Sequence, residues 1–111
     1  MRQLLADEQW VSILKTKSAL IMMVPQAADN DEVLAQGIAW CAASLEGVLA
    51  AATDDPHLRC TRLLSQASLL KKAHPQGDHN EEIRAVLEQA REGAFTEKLC
   101  STIDRMLEEL K

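Results

Sequence analysis

The chain has 111 residues, 47% of them apolar but only 3% aromatic, and a net charge of −5. That length makes a single domain, residues 1–111, with one real core. Its only aromatics besides histidine are Trp10, Trp40 and Phe95, so the core must be built from Leu, Ile, Val, Met and Ala. Such a composition suits helices and excludes an aromatic-rich sheet, and the acidic balance excludes a general nucleic-acid binder, which needs a basic stripe.

The first predicted helix covers residues 4–23. Trp10, Leu14, Ser18 and Ile21 lie near one face, and Ile13, Leu20 and Val24 widen it. Pro25 disfavours helical geometry at Val24 and is expected to end the helix there. The run 19–24 is apolar at every position, so it covers the whole helix circumference. Met22 and Met23 therefore stand as candidate contacts with a second chain, where methionine's flexible side chain adapts well.

After a predicted loop at 26–30, Asp29-x-x-Glu32 reads as a capping box with Asp29 as the cap. The second helix then runs to Ala52. Its stretch 33–52 is rich in Ala and Gly with Glu46 as the only charge. A helix apolar nearly all round is normally buried, so it is expected to be the central post of a bundle. Leu34, Ile38, Leu45 and Leu49 form one ridge, and Val33, Gly37, Cys41 and Val48 the next. The stretch is long enough for a bilayer. However, an acid at its centre costs about 2.5 kcal/mol or more on insertion scales, and no basic stop follows it, so no membrane span is expected. Glu46 is expected to mark a narrow solvent strip, with pairing to Arg59 or Arg62 across the next hairpin as the alternative.

Thr53-Asp54-Asp55-Pro56 is a strong start signal, with Asp55 as N-cap and Pro56 where a missing N–H costs nothing. The third helix runs to about Ala73. Cys60, Leu63, Leu64, Ala67 and Leu70 form its buried stripe, and Lys71 and Lys72 complement the dipole of its last turn. Loop 74–77 follows, and Asp78-x-x-Glu81 caps a fourth helix that buries Ile83, Val86, Leu87 and Ala90. Beyond Gly93 a second clean stripe begins: Phe95, Leu99, Ile103, Met106, Leu107 and Leu110.

At about 100° per residue the stripes before and after Gly93 point in nearly opposite directions. One straight helix cannot aim both at the same core. Either the chain breaks near Gly93 and Thr96 caps a fifth helix, or a helix about 48 Å long overhangs the bundle and packs on a second protomer. The expected fold is all-α: an up-and-down four-helix bundle whose last helix is broken near Gly93, giving four to five helices.

Chemistry is sparse. There is no phosphate loop, dinucleotide turn, HExxH or nucleophile elbow. His57-x-x-Cys60 with His74 and His79 is the one combination with metal-ligand character, yet the helix between Cys60 and His74 separates them by about 20 Å. A phosphotransfer histidine should sit mid-helix and exposed, whereas these three fall at helix ends or loops. No catalytic, metal or cofactor site is expected, and the chain is read as non-enzymatic. Three widely spaced cysteines and an N-terminus with acids where a signal peptide is apolar fit a cytoplasmic protein with free thiols.

The leading expectation is a helical protein–protein interaction module, homodimeric or paired with another helical protein. Its contacts are expected at Met22, Met23, Leu99, Ile103, Met106 and Leu110. The second is a sensor of a small apolar ligand, bound between helices near Trp40, Met22 and Met23. A phosphotransfer or metal-binding bundle is third.

Overall fold

A computed structural model describes residues 7–77, 79–93 and 96–110. Five helices follow in order: α1 (Asp7–Asn30), α2 (Glu32–Ala52), α3 (Pro56–Ala73), α4 (Asn80–Glu92) and α5 (Glu97–Glu109). Among the described residues there is no strand. The helices form an up-and-down bundle packed sequentially, with the main contacts between consecutive helices. The outcome is a slab, 42 × 38 × 20 Å, about two helix diameters thick.

The first hairpin differs from expectation at both ends of its turn. Pro25 lies inside α1 rather than ending it, and the predicted loop 26–30 is helical. Pro25 is on the exposed side of α1, where the Ile21 carbonyl that loses its amide partner can meet water. The helix therefore survives until Asp31, the single residue between α1 and α2. Asp31, not Asp29, is the cap of α2: its carboxylate accepts from the amides of Val33 at 3.1 Å and Leu34 at 3.2 Å. The start of the first predicted helix, residues 4–6, lies outside the described residues.

The second turn follows the sequence. Asp55 Oδ1 accepts from His57 N at 3.0 Å and Leu58 N at 3.3 Å, with Pro56 leading α3. The Arg59 guanidinium reaches back to the last carbonyls of α2, donating to Ala50 O and Thr53 O. A cation there also complements the α2 dipole. At the third turn, Asp78 lies outside the described residues; His79 occupies the N-cap position of α4 without a side-chain cap bond.

The break at Gly93 is real and has a packing cause. A Cβ on Gly93 would come within 2.9 Å of the Pro56 carbonyl oxygen, so only glycine lets the end of α4 lie against the start of α3. Thr96 then caps α5, its hydroxyl accepting from Leu99 N at 3.2 Å. The break turns the second stripe home. Ile103 is fully buried and Leu110 nearly so, in one core with Cys60, Leu63, Ile83 and Leu87. Leu99, Met106 and Leu107 are partly buried against the same core. Phe95 lies outside the described residues. Asn80 Nδ2 donates to Leu110 O at 3.2 Å, and Lys71 pairs with Glu109 at 2.8 Å, fastening the end of α5 to α3 and α4. By hydrogen bond and by charge, Lys71 holds the Glu109 carboxyl below the usual carboxylate range.

Candidate interaction surface

Sequential packing gives α2 neighbours on one side only. Its buried residues, among them Ala35, Ala39, Ala42, Ala43, Leu49 and Ala50, face α1 and α3. The opposite side is open. Val33 is 77% exposed, Leu34 54%, Trp40 50% and Val48 45%. Gly37, Cys41, Ser44 and Ala51 are exposed among them. The expectation of an all-round buried post is thus corrected: hydropathy recorded that α2 avoids charge, but the neighbours cover only half of it. By length and composition α2 is apolar enough to cross a membrane, and 39% of its most apolar window is buried against the rest of the chain.

Two grooves border the open face. One, about 520 Å³, runs beside its N-terminal half and is lined by Leu20, Asp31, Leu34, Gly37, Ile38 and Cys41, with Val33. The other, about 490 Å³, borders its C-terminal half and includes Gly47, Val48, Ala51, Arg59 and Gln66. Neither is lined by Trp40, Met22 or Met23, so the three residues singled out for a ligand pocket do not share one here.

Glu46 is the exception on α2, and it points inward. It is 1% exposed, not on a solvent strip. Its carboxylate meets Lys17 Nζ of α1 at 2.8 Å, Arg62 of α3 at 3.0 Å and the Ser65 hydroxyl at 3.2 Å. A buried carboxylate needs such partners. The Arg62 guanidinium also lies over the Trp10 ring, 5.5 Å from its centroid. One charge thereby ties three helices. Arg62 was an expected partner, but Lys17 was not. The missing signal was the turn. Lys17 and Glu46 stand fourteen and fifteen residues from Asp31, and residues equidistant from a one-residue turn face each other. Ending the helix at Pro25 displaced that centre.

No known protein family, curated protein or solved structure matches this chain.

The six expected contact residues divide into two groups. Met22 and Met23 are exposed on α1. Leu99, Ile103, Met106 and Leu110 are instead spent on the chain's own core, because the break at Gly93 lets α5 fold back. The large exposed apolar side chains of the described residues lie on α1 and α2.

The histidines do not assemble with Cys60. His74 and His79 stack with ring centroids 3.6 Å apart, closing the α3–α4 loop, whereas His57 lies in the first turn of α3. Among the described residues no three His, Cys, Asp or Glu side chains are grouped to hold a metal ion. All three cysteines are free: Cys41 exposed, Cys100 half-buried and Cys60 buried. Burial first, and then neighbouring Cys100, pushes the Cys60 thiol up. Because the thiolate is the reactive form, maleimide is expected to label Cys60 last, and only as the fold opens. Peptide mass mapping over time checks this; labelling of Cys60 as fast as Cys100 would contradict its burial.

Proposed function

We propose that this chain is a non-enzymatic helical interaction module that associates with a second copy of itself through the outer face of α2. The observation that carries the reading is a whole helix face left uncovered, with four large apolar side chains at 45–77% exposure and no charge among them. The face is about 30 Å long and 10 Å wide. With its grooves it covers about 300–600 Å², the size of the largest apolar patch on a typical monomeric protein, a patch that is often functional.

A second copy fits for a structural reason. In this sequential slab α1 packs chiefly on α2, and none of its described side chains reaches full burial. Two α1–α2 hairpins laid face to face would supply the four-helix arrangement that one hairpin lacks. The three free thiols suit a reducing compartment, and we assign the cytoplasm.

Sedimentation equilibrium at about 100 μM protein tests the reading, since a complex with Kd ~10 μM is largely formed there. A dimer is expected. Val48→Glu is expected to give a monomer of unchanged helicity, because it places a charge at an uncovered site rather than in the core. A wild-type chain that sediments as a monomer at that concentration overturns the proposal.

A further inference from the structure

The open face of α2 carries one seam at alternating three- and four-residue spacing: Leu34, Gly37, Cys41, Ser44, Val48 and Ala51. That spacing keeps all six on one side of a helix, as in the contact line of paired helices. None of the six is buried. At Gly37 the place where a Cβ would stand has nothing within 4 Å, so the seam has a hollow there.

Read backwards about the level of Ala42 and Ala43, the seam maps onto itself. Leu34 exchanges with Ala51, Gly37 with Val48, and Cys41 with Ser44. In the first two exchanges a large side chain meets a small one, and the third pairs two small ones. A parallel pair in register would instead set Val48 on Val48 and leave Gly37 over Gly37, a bump beside a void. Close packing disfavours both.

A twofold perpendicular to the seam relates the two copies of such a pair, and antiparallel helices also oppose their dipoles favourably.

Resting on the self-association proposed for α2, we infer that the second copy docks antiparallel about a twofold axis at the level of Ala42 and Ala43, with Val48 of each copy seated over Gly37 of the other. The small residues of the seam let the two helix axes approach to about 8 Å.

A knob-and-hole exchange tests the arrangement by sedimentation equilibrium. Gly37→Val meets open space within its own chain, so the monomer keeps its fold, which circular dichroism checks. In the dimer the new side chain strikes Val48 of the other copy, and the dissociation constant is expected to rise at least about tenfold. Val48→Ala alone is expected to weaken the dimer about threefold or more. The double variant, which moves the knob to position 37 and the hollow to 48, is expected to return within about threefold of wild type. In a Cys100→Ser background a short bismaleimide should link Cys41 to Cys41 of the second copy, the two lying one helical turn apart along the seam.

Additive losses in the double variant, with no Cys41 link, overturn the antiparallel arrangement while leaving self-association standing. A wild-type monomer overturns both.

Discussion

Glu46→Leu is expected to lower the unfolding free energy by about 3 kcal/mol or more, although leucine is a better match for an apolar helix than glutamate. The loss comes from what is left behind. Lys17 and Arg62 each keep only 15% side-chain exposure in the native fold, and without the carboxylate they are two confined like charges. Removing one member of a buried charge group typically costs about 3–5 kcal/mol. The lower end applies here because both cations have a path to water. The Ser65 hydroxyl and the Arg62 stack on Trp10 lose their common anchor as well. Urea denaturation measures the loss, and hydrogen exchange should locate it first in α1, where none of the described side chains is fully buried.

A companion variant separates two explanations. If Glu46 matters because ion pairs are intrinsically strong, then replacing all three partners with apolar residues (Lys17→Met, Glu46→Leu, Arg62→Met) should be the worst variant. If it matters because it neutralises charges that the packing confines, the triple should match or exceed wild-type stability, since buried ion groups exchanged whole for apolar ones are often neutral or stabilising. We expect the second result. A Glu46→Leu loss below about 1 kcal/mol would mean that the cations escape to solvent and that α1 is not tied through them.

Helix ends with local chemistry were legible in the sequence. Asp55-Pro56 and Thr96 each cap a helix as read, and the opposed stripes around Gly93 announced the break. These signals are local: a side chain satisfies amides two or three residues away. What was not legible depended on neighbours. Pro25 reads as a terminator because it disfavours helical geometry at Val24, but whether the helix ends there depends on its surroundings, above all on whether the carbonyl that loses its amide partner meets water. The turn at Asp31 was consequently displaced, and with it the partner Lys17. Hydropathy placed α2 in a core, but a scale of side-chain preference does not say on how many sides a core exists. The outer face from Val33 to Ala51 looks the same in sequence whether a helix of the same chain or of another molecule lies upon it.

The C-terminal helix sharpens that distinction into an experiment. Ile103→Asp is expected to cost about 4 kcal/mol or more, because Ile103 is fully buried and an aspartate there has no partner. Its core neighbours include Ile83 and Leu87 of α4 and Leu63 of α3, so the damage reaches the centre of the slab. Had α5 docked on a second molecule, the same substitution would leave a folded monomer, and its effect would fade with dilution. With α5 packed on its own chain, helicity and melting temperature should fall by the same amount at every protein concentration. Val48→Glu should do the reverse, abolishing association while sparing the monomer. Circular dichroism melts of both variants across a hundredfold range of concentration decide the matter. A folded Ile103→Asp monomer would show that α5 contributes little to the core and would return the C-terminal stripe to the list of interfaces.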